Sequence, residues 1–227
     1  MKITPILFTP GNVRAIRDRS KTQTRRAMNP QPVRVSGGVP YRNPPPSLHG
    51  APGSAIYHCP YGQRGDRLWV RETHYRYGRW VKNGKTVSGR QRWRFKPDAI
   101  QLAYYLGTVP KDDIGSKRGE RRSAWWKRPS IFMPKWAART WLEITEVRVQ
   151  RLQEINEAGA LAEGIERSGW EYSCEPYRNY AHPVMASGHN KSTARCSYMT
   201  LWESINGPGS WDINPWVWAI TFKVVKA

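Results

Sequence analysis

The sequence predicts an α+β fold, on three observations. Residues 3–8, 66–73, 141–149 and 216–225 show the apolar runs or period-two alternation of strands. Residues 12–19, 155–165 and 198–205 show the spacing of short helices. The stretches between them, at about 27–63, 74–138 and 166–195, read as long loop-rich insertions into a single domain spanning 1–227.

The first strand stops at Thr9-Pro10-Gly11. Asn12 then offers an N-cap to a helix with Val13, Ile16 and Arg17 at its spacing. SKTQTRR, residues 20–26, is polar and rich in β-formers. Residues 29–62 hold NPQP, SGG, PYRNPPPS and APGS, a Pro/Gly density that argues against an ordered helix or central strand. In DRLWVRET, residues 66–73, Leu68 and Val70 face one way and Trp69 and Arg71 the other. WLEITEVRV, residues 141–149, alternates as a half-exposed strand. The helix over 155–165 turns Ile155, Ala158, Leu161, Ala162 and Ile165 to one side. The helix over 198–205 ends at Asn206-Gly207-Pro208-Gly209. In the last strand Trp216, Trp218, Ile220, Phe222 and Val224 share one face, and Val217, Ala219, Thr221 and Lys223 the other. A strand apolar on nearly both faces belongs in the middle of a sheet or barrel.

Charge narrows the function. The net charge is +20, and residues 1–140 hold 29 Lys+Arg against 7 Asp+Glu while residues 141–227 hold 8 against 10. A positive field confined to one part of the chain attracts phosphate backbones and predicts binding that weakens with salt. No basic amphipathic helix points to a membrane surface. No run of eighteen apolar residues exists, and MKITPILFTP lacks the h-region and cleavage site of a signal peptide, so a cytoplasmic location is expected.

Cys59, Cys174 and Cys196 are odd in number and far apart, which argues against a disulfide framework. They also lack the close pairs of structural zinc, although His58, His182 and His189 could be added to them on paper. No metal and no cofactor are expected.

The second insertion interleaves rings and cations. Trp80, Trp93, Phe95, Trp125 and Trp126 stand among Arg79, Lys82, Arg92, Arg94, Lys96, Arg122, Lys127 and Arg128. Such mixtures bind single strands by stacking bases and tracking phosphates. The same rings could equally anchor the insertion, with cationic stems lying over them.

Five pieces in order carry a resemblance. They are Ser20-Lys21-Thr22-Gln23-Thr24-Arg25-Arg26, Gly65-Asp66-Arg67-Leu68-Trp69-Val70, Leu142-Glu143-Ile144-Thr145-Glu146-Val147, Leu161-Ala162-Glu163-Gly164-Ile165 and Val217-Trp218-Ala219-Ile220-Thr221-Phe222-Lys223. Together they resemble the ASCH domain family of the PUA-like superfamily. The signature departs from the family where Arg19 takes a place usually held by glycine. With CPYG, RPSIFMP and LWESINGPGSWD, the chain further resembles phage-encoded proteins labelled "morphogenetic", for which a host cytoplasm is the expected location.

The resemblance implies a PUA-like mixed β-barrel with flanking short helices, and a cleft beside it for RNA, DNA or a modified nucleoside. Some ASCH proteins resemble amidohydrolases of N4-acetylcytidine that use a lysine, a threonine and a glutamate, and others are reported as ribonucleases. By position in the motif those residues are Lys21, Thr24 and Glu163. A threonine hydroxyl needs a base, and a lysine supplies one where burial or neighbouring cations lower its pKa. Arg19, Thr22, Arg25 and Arg26 join Lys21 as candidate ligand contacts, as do Arg71, Trp93, Arg94, Trp125, Trp126 and Lys127. Three readings follow: a hydrolase of a modified pyrimidine or of RNA, a non-catalytic RNA or modified-DNA binding module, and a phage assembly factor. The last is weakest, because no coiled-coil heptads or large apolar faces are evident.

Overall fold

Strand β1 (Ile3–Leu7) leads into helix α1 (Pro10–Arg17). A computed structural model describes residues 1–41, 57–99, 102–105, 108, 113–115, 122–167, 176–180 and 193–226. Cys174, His182 and His189 lie outside them. The helix starts earlier than its sequence suggested. Thr9, not Asn12, caps it: the Asn12 amide donates to Thr9 Oγ1 and the Val13 amide to the Thr9 carbonyl. Pro10 suits the first turn, where its missing N–H costs nothing.

Beyond α1 come β2 (Gln23–Ala27), β3 (Arg34–Ser36), β4 (Val39–Tyr41), β5 (Arg67–Arg71), β6 (His74–Lys85), β7 (Gln91–Pro97), β8 (Ala103–Tyr105) and β9 (Ala124–Arg128). The chain continues through β10 (Trp141–Arg151), α2 (Glu157–Ala162), α3 (Ala194–Asn206) and β11 (Trp216–Val225). The fold is α+β, mostly strands with few helices. One sheet runs in the order β1-β5-β10-β11-β2, so β11 lies inside it, as its doubly apolar pattern requires. In β5, Leu68, Trp69 and Val70 are all buried rather than alternating. The described strands close no barrel, since β1 and β2 remain the two edges of this sheet. Among the described residues no helix is long and apolar enough to cross a membrane.

The insertions hold more order than their composition promised. In the first, β3 and β4 form a hairpin. The second is itself a sheet, β7-β6-β8 with β9 also on β6. Its interleaved rings and cations are the two faces of strands, a period-two signal that looked like irregular loop because both faces mix ring and charge.

The chain divides into two compact units. One comprises Met1–Thr4, Arg14–Leu68 and Leu142–Lys226; the other comprises Pro5–Val13 and Trp69–Trp141. In the first, Leu152, Ile155, Ala160, Ile165, Tyr198, Trp202, Trp211 and Val217 form a core around α2 and α3. Helix α2 is only six residues long, and it buries Ala160 while Ala158 and Leu161 stay exposed. The helical period therefore does not carry from Ile155 to Ile165. Asn156 caps α2 by accepting the Gly159 amide, and the Glu157 carboxylate accepts the Ala194 and Arg195 amides at the start of α3.

In the second unit His74 is fully buried on β6, and neither ring nitrogen meets a hydrogen-bond partner among the described residues. Burial pushes its pKa down to about 4, and repulsion from Arg128, Arg76 and Arg71 adds to that. Between about pH 6.5 and 4 the unfolded chain therefore binds a proton that the folded chain refuses. Stability from this group is present above pH 6.5 and is lost as pH falls through that window, by roughly 2–3 kcal/mol. Urea titrations should show that loss in the native protein and a flatter profile over the same window in His74→Gln.

Candidate functional site

Helix α1 delivers the signature. Its exit is a left-handed turn, with Arg19 at φ 62°, after which the Lys21 amide donates to the Ala15 carbonyl. A side chain other than glycine's costs about 1–2 kcal/mol in that region. Arg19→Gly is accordingly expected to raise stability by about 0.5–1 kcal/mol in equilibrium denaturation, less than the full strain because glycine gains freedom when unfolded.

Lys21 then forms an isolated antiparallel bridge with Glu163, and the Thr22 amide donates to the Ala162 carbonyl at 2.8 Å. Thr22 O accepts the Phe222 amide at 2.9 Å. Three remote segments thus meet at the lysine. Its ammonium donates to Glu163 Oε2 at 2.6 Å and to the Glu163 carbonyl at 2.7 Å. Arg25 Nη1 donates to the other carboxylate oxygen, Oε1, at 3.0 Å. Lys21, Arg25 and Glu163 are 2%, 6% and 3% exposed. Tyr198 completes the surround, with the Arg25 guanidinium 5.9 Å from its ring centre.

Electrostatics follow from this enclosure. Burial lowers the Lys21 pKa, the Glu163 carboxylate opposes that, and Arg26 and Arg25 reinforce it. Burial raises the Tyr198 hydroxyl well above the ordinary tyrosine range, with Glu163 adding to the effect. With all three groups ionised the cluster carries one net positive charge. Gln23 Oε1 and Arg25 Nε, on the same face of β2, are buried without a hydrogen-bond partner among the described residues.

Of the expected trio, the structure brings Lys21 and Glu163 together. Thr24 is buried on the other face of β2 from Arg25, opposite Ile220 of β11, and among the described residues nothing hydrogen-bonds its hydroxyl. Arg19 and Thr22 are exposed and Arg26 is half-buried. In the other unit, Arg71 donates to the Met133 carbonyl and lies over the Trp69 ring. Trp125 and Trp126 are each only 7% exposed. Trp126 donates to the Gly78 carbonyl, and Trp125 packs on Tyr77 and Tyr104. Both rings are packed among their neighbours rather than open at the surface. Trp93 is half-buried; Arg94 and Lys127 are exposed.

Sequence reasoning missed Arg25 as a clamp on Glu163, because the two stand 138 residues apart in the chain. It also missed two cavities, about 630 and 310 Å³, that share Tyr57, His58 and Trp218 as lining and do not include Lys21. Among the described residues no group of three or more His, Cys, Asp or Glu side chains could hold a metal ion. No protein-family model, curated protein or solved structure matches the chain.

Proposed function

We propose that this chain is a nucleic-acid- or nucleoside-binding protein of the ASCH type, its five-stranded sheet an opened PUA-like layout. The observation that carries this reading is the buried cluster of Lys21, Arg25 and Glu163, two cations on one carboxylate. A net positive charge in a dry setting favours an electron-rich partner, and the free acceptor of Gln23 beside the free donor of Arg25 Nε suits the edge of a pyrimidine amide. The basic excess of residues 1–140 supplies long-range attraction for phosphate. Titrating cytidine, N4-acetylcytidine and a short oligonucleotide at several salt concentrations tests it. Binding of the oligonucleotide should weaken steeply with salt, and Lys21→Met should weaken nucleoside binding. Salt-insensitive binding, or none, overturns the reading.

A hydrolase of an acylated pyrimidine is favoured by one further observation, the lowered pKa of Lys21 with Glu163 against it. In that reaction the neutral Lys21 amine accepts the proton of an attacking water. The amide C–N bond breaks, and the leaving amine takes the proton that Glu163 and Lys21 share. The acyl group leaves as the free acid. Chromatography of N4-acetylcytidine incubations, run with Lys21→Ala and Thr24→Ala beside the native protein, checks it. Turnover lost with Lys21→Ala and kept with Thr24→Ala supports this route; turnover lost in both overturns water as the nucleophile; no turnover in the native protein leaves a binding module.

A further inference from the structure

The sheet of the second unit sorts its side chains in a way the chain order hides. Across β6 and β7, Arg79 stands opposite Lys96 and Val81 opposite Arg94. By alternation Arg92 shares that face of β7. Across β6 and β9, Tyr75 stands opposite Lys127 and Tyr77 opposite Trp125, and across β6 and β8 Tyr75 stands opposite Tyr104. All of these residues project from the same face. The opposite face carries His74, Trp126 and Arg128, all buried, together with Trp80, Trp93 and Phe95.

Arg79, Arg92, Arg94, Lys96 and Lys127 are all exposed. Among the described residues none of the five has an ion pair or a ring partner. Asp113 and Asp98 both lie near the Tyr77 hydroxyl, but neither neutralises one of the five. Like charges directly opposite each other, as at Arg79 and Lys96, destabilise a strand pair. Charges on an edge strand such as β7 also deter unwanted pairing. That purpose is served by either sign, and it does not place Arg79 on the interior strand. Beside the cations lie three half-buried rings, Tyr75, Tyr77 and Tyr104, the last two braced by Trp125 at centroid distances of 5.1 and 4.6 Å.

We infer that this sheet face binds single-stranded nucleic acid, with phosphates along Arg79, Arg92, Arg94, Lys96 and Lys127 and bases stacked on Tyr75, Tyr77 and Tyr104. Charge complementarity names a polyanion. The rings select unpaired bases, because a duplex keeps its base faces stacked inside. The assignment rests on the nucleic-acid reading above and gives it a surface separate from Lys21, one in which Trp125 positions two tyrosines and Trp93 and Trp126 touch no base.

Fluorescence anisotropy with a labelled oligothymidylate of a dozen residues, from about 50 to 200 mM salt, tests it. Five phosphate contacts predict a log–log salt slope near −3.5, at about 0.7 per contact on a single strand. Replacing Arg92, Arg94 and Lys96 together by Gln should lower that slope by about 2 and weaken binding at least tenfold. Arg79→Glu should weaken binding while melting no lower than the native protein, because it faces Lys96 with the opposite charge. A triple variant that binds within twofold of native with an unchanged slope overturns the inference but leaves the Lys21 reading standing. So does a duplex of the same length binding as tightly as the single strand. Native protein that binds neither the strand nor the nucleosides overturns both.

Discussion

Replacing Glu163 by alanine is expected to cost about 3–5 kcal/mol, as removal of one partner from a buried ion cluster does. Its two carboxylate oxygens separately satisfy Lys21 and Arg25, both almost fully enclosed. Without them two cations face each other with no counter-ion, in a setting where even the paired lysine already holds its proton weakly. The variant should therefore be more damaged at neutral pH than at alkaline pH. A lysine whose folded pKa lies below its unfolded value has its charged form disfavoured by folding, so stability recovers as pH rises through that interval. Denaturant titrations at pH 7 and near pH 9.5 check both the size and the slope. A loss below about 1 kcal/mol at pH 7 would mean that the ions are hydrated in the native state.

Gly164→Ala should cost about 2–4 kcal/mol by a different route. Gly164 has φ 80°, and a Cβ built there would stand 2.8 Å from the Cβ of Lys21 and 3.1 Å from that of Ala15. Strained backbone contributes about 1–2 kcal/mol, and overpacking adds a similar amount. Both obstructing atoms are the first atoms of their side chains, so neither swings aside. The backbone of α1's exit or of the Glu163 bridge has to move instead. Because Lys21 is the group displaced, combining Gly164→Ala with Glu163→Ala should cost less than the sum of the two, and a double-mutant cycle measures the shortfall.

Much of the scaffold was legible because strands announce themselves locally. The span Trp216–Val225 and the alternation from Trp141 onward reappear as β11 and β10, and the last helix reappears as α3 with Thr193 as its cap. The meeting of Lys21 with Glu163 is carried by the bridge between them, which no local pattern encodes. What failed was anything decided by tertiary neighbours. Ala158 and Leu161 fit a helical stripe, yet α2 stops at Glu163 because the chain must turn through Gly164, and Glu163 points inward because two cations await it. The second insertion looked like loop because each face of β6 mixes rings with charges. Only the strand register separates Trp126, which is buried, from Lys127 beside it, which is not. The motif groups Thr24 with Lys21, whereas strand alternation turns its side chain to the other face of β2 from Arg25.

The pairing of β2 with β11 has a consequence for the order in which the protein is made. Register joins Gln23–Ala27 to residues 217–221, so the segment carrying Lys21 and Arg25 waits for nearly the whole chain to leave the ribosome before it has a neighbour on that side. At roughly 5–20 residues per second that interval is on the order of ten seconds or more. The sheet of β6 to β9, by contrast, is drawn from one continuous stretch and can close long before then. During the wait the signature is a hydrated basic peptide, and its cations lose their water only when Glu163 and the final strand arrive. A nascent chain halted before β11 should consequently show a protected β6–β9 sheet and a protease-sensitive signature.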